Sequence, residues 1–183
     1  MNSALKSEVF QPVSLNRNSI ETIYLNLNKK LNELGLYEDL YVFGGAVMCD
    51  LGCRNSTMDI DAYYRNTELI NKLTHEIGVA GVINNDIEPF LSNEGSFTVH
   101  ADLGNLKVYY ATDEYLFALK CQSCRTDSND IKDLIFLTKK LNIKSLEQAD
   151  EIIGKYFNLA TTDSLYRDIL EDVWSGMAEY YLI

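Results

Sequence analysis

The chain has 183 residues, of which 46% are hydrophobic and only two are proline, and its formal net charge is -11. It is long and apolar enough to bury a core of its own and has no composition of disorder. The acidic balance opposes broad attraction to a nucleic-acid backbone, which depends on lysine and arginine displacing counterions, but suits divalent cations that offset clustered carboxylates. Residues 1–15 contain no apolar run long enough for a signal peptide, and no membrane-spanning apolar stretch follows. A soluble, cytoplasmic protein without membrane contact is therefore expected.

The elements are read in chain order. Ile20, Ile23, Tyr24, Leu27, Leu31 and Leu34 recur at helical spacing, with Asn18 or Ser19 available as a cap and Gly35 as a stop. Residues 40–43 form a short apolar run ending at Gly44-Gly45, and a helix-compatible pattern resumes over 46–51. Residues 58–63 read as a second strand, and 68–77 as a helix behind Asn66 or Thr67. Glycine, asparagine, aspartate and proline crowd 78–95, which reads mainly as loop with a short strand near 81–83. Residues 96–101 and 106–111 read as a hairpin closed by Asp102-Leu103-Gly104-Asn105. From Thr112 onward the pattern is helical, with breaks near 126–128, 142–144 and 158–162. Ser145 to Gln148 fits a capping box, and Leu165, Ile169, Val173 and Met177 form an apolar stripe. The expected fold is α/β (α+β): a small mixed sheet with flanking helices over residues 1–112, and a helical C-terminal lobe over 113–183.

On a strand, Asp59 and Asp61 leave the same face while Ile60 leaves the other, so two carboxylates converge on one volume. Like charges that close call for a proton or a cation between them, and a hard divalent ion with oxygen ligands is the usual answer. Upstream, Gly44-Gly45 ends a strand and opens a helix, where backbone N–H groups can face a phosphate without obstruction by Cβ. Taken singly, an ordinary tight turn and a pair of solvated aspartates explain these features better. Together they supply donors for a triphosphate and ligands for the ion that bridges it.

In this order the motifs resemble the nucleotidyltransferase superfamily. The residues that carry the likeness are Phe43-Gly44-Gly45-Ala46-Val47, then Arg54-Asn55-Ser56-Thr57-Met58-Asp59-Ile60-Asp61. The second run is similar to the branch that includes abortive-infection and toxin–antitoxin nucleotidyltransferases. Glu114 to Lys120, then Arg125, then Asp130-Ile131-Lys132-Asp133-Leu134 look like that branch's lysine-to-arginine helix and its Asp-x-x-Asp-Leu helix, so the likeness covers about residues 38–157. It implies transfer of a nucleoside monophosphate from a triphosphate such as ATP, with Mg²⁺ or Mn²⁺, to RNA (tRNA among the candidates), protein or a small molecule. A nucleotide- or partner-binding member without turnover, such as one half of a toxin–antitoxin pair, is the alternative.

The resemblance assigns metal binding and catalysis to Asp59 and Asp61. It assigns nucleotide contact to Gly44, Gly45, Arg54, Ser56, Thr57, Lys120, Arg125 and Asp130. Two departures stand out. Gly45 occupies a position where many relatives carry serine, and no third carboxylate declares itself; Asp102 is the first choice, with Asp86 and Glu88 as alternatives. From the residues alone, Lys120 could equally be a surface lysine that snorkels, and Arg54, Arg125, Asp130 and Asp133 could be mutual structural partners. The cysteine pairs Cys49/Cys53 and Cys121/Cys124 are expected to be reduced thiols rather than a zinc site, and His75 and His100 to be structural. The aromatic residues Tyr109, Tyr110, Tyr115 and Phe117 could stack a base, but alternation on a strand and spacing on a helix explain them as core, and Tyr63 and Tyr64 share that ambiguity.

Overall fold

A computed structural model describes residues 14–85, 95–123, 129–162 and 164–176. Helix α1 (Arg17–Leu34) starts where the Asn16 side chain accepts a hydrogen bond from the Ser19 amide at 2.9 Å, two residues ahead of the expected cap. It ends at Gly35, whose φ of +66° suits a left-handed helix stop. Its buried stripe is Ile20, Ile23, Tyr24, Leu27 and Leu31, as the spacing predicts, but Leu34 in the last turn is exposed.

Strand β1 (Glu38–Val42) leads through α2 (Gly44–Asp50) to β2 (Ile60–Tyr63), and α3 (Thr67–Glu76) leads to the two-residue β3 (Ile83–Asn84). The hairpin strands β4 (Phe97–Asp102) and β5 (Leu106–Ala111) complete one sheet of order β3-β2-β1-β5-β4. β1 runs antiparallel to β2 and parallel to β5, so the sheet is mixed, as expected. Strand β2 begins at Ile60 rather than residue 58, and β3 begins after Gly81, whose φ of +72° is incompatible with an extended strand.

Alternation sets the two faces of the sheet. Leu40, Val42, Ile60, Ala62, Leu106 and Val108 are all fully buried. On the other side Tyr63, Tyr41 and Tyr109 line up in register across β2, β1 and β5, with Tyr41 and Tyr109 stacked at 4.7 Å. These three are only partly buried, whereas Tyr64, Tyr110, Tyr115 and Phe117 are core.

Because β1 and β5 are parallel and in register, with Val42 opposite Tyr110, the segments after them leave the sheet at one edge. There α2 begins at Gly44 and α4 (Asp113–Ser123) at Asp113. Every residue of α4 from Tyr115 to Cys121 is buried, the pattern of a helix enclosed on all sides. It packs on α5 (Asp130–Lys140) and α6 (Leu146–Gly154), while α5 also meets α7 (Leu165–Ser175). Ser145 caps α6, its hydroxyl accepting from the Gln148 amide, but the return bond of the expected box is shifted by one residue: the Gln148 side chain accepts from the Lys144 amide at 2.8 Å rather than from that of Ser145. Ile169 of the C-terminal stripe is buried, and the expected break near 126–128 and Met177 lie outside the described residues. One apolar cluster runs from Leu15 to Leu170, so the sheet and the C-terminal helices share a core. Among the described residues no helix is long and apolar enough to cross a membrane.

Candidate functional site

The edge where α2 and α4 begin gathers most of the motif residues. Gly44 has φ +63°, and a Cβ there would run into the Asp61 carboxylate. At Gly45 a Cβ would run into the Thr57 hydroxyl, with the Arg54 guanidinium 3.3 Å away. The two glycines are thus required for different reasons: the first by backbone conformation and Asp61, the second by crowding alone. The buried Thr57 hydroxyl occupies the space that a side chain at position 45 would take. Reciprocal backbone hydrogen bonds of 2.7 and 2.9 Å to Leu15 hold Thr57 in place. Phe43 donates its amide to the Asp61 carbonyl at 3.0 Å, which ties the turn to the Asp-x-Asp segment.

Asp61 lies on β2, whereas Asp59 precedes the strand, so only one of the pair is fixed by the ladder. The two carboxylates still feel each other. Burial, then the Asp59 charge, push Asp61 from an ordinary 3.8 up to about 6, while Lys120 and Arg54 pull in the opposite direction. Asp59 also borders a cavity of about 400 Å³ lined by Tyr64, Thr67, Asn71 and Asn84. Ser56 is partly buried beside Thr57 in the loop leading to the pair.

Behind Asp61 lies a buried cluster of alternating charges. Arg54 grips Asp133 with both arms of its fork, Nε to Oδ1 at 2.7 Å and Nη2 to Oδ2, and its Nη2 is 3.8 Å from Asp130. Lys120 donates to Asp130 at 2.6 Å and lies 2.9 Å from Asp133, which is completely inaccessible to solvent. Two cations face two anions, so the desolvation of each is offset by its partners. Lys120 is therefore not a snorkelling surface residue; it is 8% exposed and held by two carboxylates. Asp130 and Asp133, one turn apart on α5, hold Lys120 and Arg54 together, while Arg125 lies outside the described residues.

Cys53 Sγ sits 3.7 Å from Asp133, and burial followed by that carboxylate raises its thiol to about 11, far from a reactive thiolate. Cys49 and Cys53 are free thiols, Cys121 is buried in α4, and Cys124 lies outside the described residues.

Asp102 does not join the site. It pairs with Lys107 at the β4 terminus, level with the start of β1, whereas Gly44 follows the end of β1. Its carboxylate is exposed, 3.1 Å from the Lys107 ammonium, and accepts from the Gly104 amide at 3.3 Å, so it serves the hairpin turn. Asp86 and Glu88 lie outside the described residues.

The donor set at Asp59 and Asp61 fits a hard divalent cation: two carboxylates near enough for the charge of one to raise the pKa of the other, beside a turn that admits no Cβ. Among the described residues no third acidic, histidine or cysteine ligand completes a group with them. Comparison with family profiles, with characterised proteins and with solved structures finds no match.

Proposed function

We propose that this chain is a Mg²⁺-dependent nucleotidyltransferase, which moves a nucleoside monophosphate from a nucleoside triphosphate to an acceptor group. The observation that carries the reading is the Asp61 carboxylate lodged against the Gly44 turn, with Asp59 beside it and the Arg54–Lys120 cluster behind it. Asp59 and Asp61 would hold Mg²⁺, or Mn²⁺ in its place. When bound, the ion supplies charge neutralisation at the phosphates and polarises the phosphoryl group.

The rest falls to the chain itself. Backbone N–H groups of the first turn of α2 have no acceptor within the helix and are suited to phosphate oxygens. Thr57 and Arg54 shape the floor beneath Gly45, and Ser56 adjoins Thr57 in the same loop. Lys120 acts at one remove: bound to Asp130 and Asp133, it favours the ionised form of Asp61 instead of touching the nucleotide. The acceptor oxygen forms a bond to the α-phosphorus in line, the bond to the bridging oxygen breaks, and pyrophosphate leaves.

The test is incubation of the chain with each radiolabelled nucleoside triphosphate, Mg²⁺ and total cellular RNA or protein. A labelled product that disappears with Asp59→Ala/Asp61→Ala is expected; no labelled product, or equal labelling by that variant, would sink the proposal. Asp86→Ala and Glu88→Ala in the same assay locate the third carboxylate.

A second reading, nucleotide or partner binding without turnover, is favoured by one observation: no third carboxylate joins Asp59 and Asp61 among the described residues. Calorimetry separates the two, because metal-dependent nucleotide binding without pyrophosphate release belongs only to the binder.

A further inference from the structure

A second group of ligand atoms lies on the helix-covered side of the sheet. Glu21 of α1, Asp50 at the end of α2 and His100 of β4 present one atom each, all within 4.8 Å of one another. The three come from separate elements, with His100 Nε2 2.7 Å from Glu21 Oε1 and its ring stacked on Tyr110 at 3.8 Å. Two features mark the group. Asp50 Oδ1 is shut off from solvent and is ion-paired at 2.9 Å with the Nη2 of Arg17, whose own side chain is 63% exposed and therefore displaceable. The Tyr24 hydroxyl, on a side chain with no solvent exposure, faces Glu21, Asp50 and Tyr110 and lacks an aligned hydrogen-bond partner.

A buried hydroxyl without a hydrogen bond carries a desolvation penalty, and a carboxylate at a helix C-terminus meets the negative end of the dipole. Both conditions are relieved by a cation. A cavity of about 450 Å³, lined by Asp50, His100, Tyr110, Thr98 and Thr112, opens directly onto the group and gives an ion both access and room for further ligands.

We propose that Glu21, Asp50 and His100 form a binding site for a first-row transition-metal ion, with at least one coordination position open to the adjoining cavity. One imidazole with two carboxylates selects ions such as Zn²⁺ or Mn²⁺ over Mg²⁺, which disfavours nitrogen ligands. The site pins α1 and α2 to the edge strand β4 and is independent of the Asp59–Asp61 pair.

The test uses the full chain freed of metal with chelator and titrated calorimetrically with Zn²⁺ alone. One ion per chain is expected, with affinity at least about tenfold weaker in Glu21→Gln and in His100→Gln, each checked for folding by circular dichroism, and unchanged in Asp59→Asn/Asp61→Asn. In the unaltered chain Co²⁺ is expected to show ligand-field bands without thiolate charge transfer, which decides the matter even if the variants fail to fold. Absence of saturable binding, a thiolate band, unchanged affinity in folded Glu21→Gln and His100→Gln, or loss of binding in Asp59→Asn/Asp61→Asn would each overturn the assignment.

Discussion

Replacing Asp61 by asparagine keeps the shape of the side chain and removes its charge, so it isolates what that charge does to the fold. In the metal-free protein burial and Asp59 raise Asp61 from 3.8 to about 6, which means that folding takes up protons between those two values. Stability contributed by the protonated form is complete below 3.8 and is lost as the pH rises through about 6. A gap of about two pH units corresponds to about 3 kcal/mol, and water reaching the half-buried carboxylate reduces this to an expected 1–2 kcal/mol, order of magnitude only. Asp61→Asn should therefore be more stable than the unaltered chain at pH 8 by about that amount, with the gap closing toward pH 4. Urea denaturation across this range, in chelator, measures it. Mg²⁺ at pH 8 should then stabilise the unaltered chain and leave Asp61→Asn unmoved. A gap that stays constant with pH, or Mg²⁺ stabilisation of both chains alike, would refute the reasoning, because packing rather than charge would then govern the site.

Gly44→Ala should destabilise by about 2–4 kcal/mol, from the left-handed backbone and the collision with Asp61, whereas Gly35→Ala, at φ +66° in open space, should lose only about 1 kcal/mol in the same denaturation assay. Asp133→Ala strips Arg54 and Lys120 of their shared buried partner and should cost about 3–5 kcal/mol, read as a shift of the urea midpoint. Asp102→Ala should leave both nucleotidyl transfer and the thermal midpoint unchanged, since its partner Lys107 is on the surface; loss of transfer would return Asp102 to the site.

Much of the architecture is legible in the residues because it is local. The α1 stripe, the Gly35 stop, the Asn66 cap on α3, the hairpin and the Ser145 cap each depend on spacings shorter than about a dozen residues, where helical and extended periods differ plainly. Boundaries drift where competing signals meet: Asn16 caps α1 ahead of Asn18, and Gly81 delays β3. The pairing of Gly44-Gly45 with Asp61 was also readable, since an antiparallel return through one short helix brings a turn and the next strand together.

The meaning of the charged side chains was not readable in the same way. Lys120, Arg54, Asp130 and Asp133 are ordinary polar residues in the chain, and only the parallel register of β1 with β5, which starts α2 and α4 at one edge, makes them a single buried cluster. The same holds for Asp102, which the hairpin carries to the far end of the sheet, and for Glu21, Asp50 and His100, which share no spacing at all. The sequence by itself determined the elements and the Gly-Gly and Asp-x-Asp motifs, because these follow from local periodicity and backbone freedom. Which carboxylates meet which cations was decided by the tertiary structure alone, because electrostatic partnership depends on distance and burial, and neither is a property of neighbours in the chain.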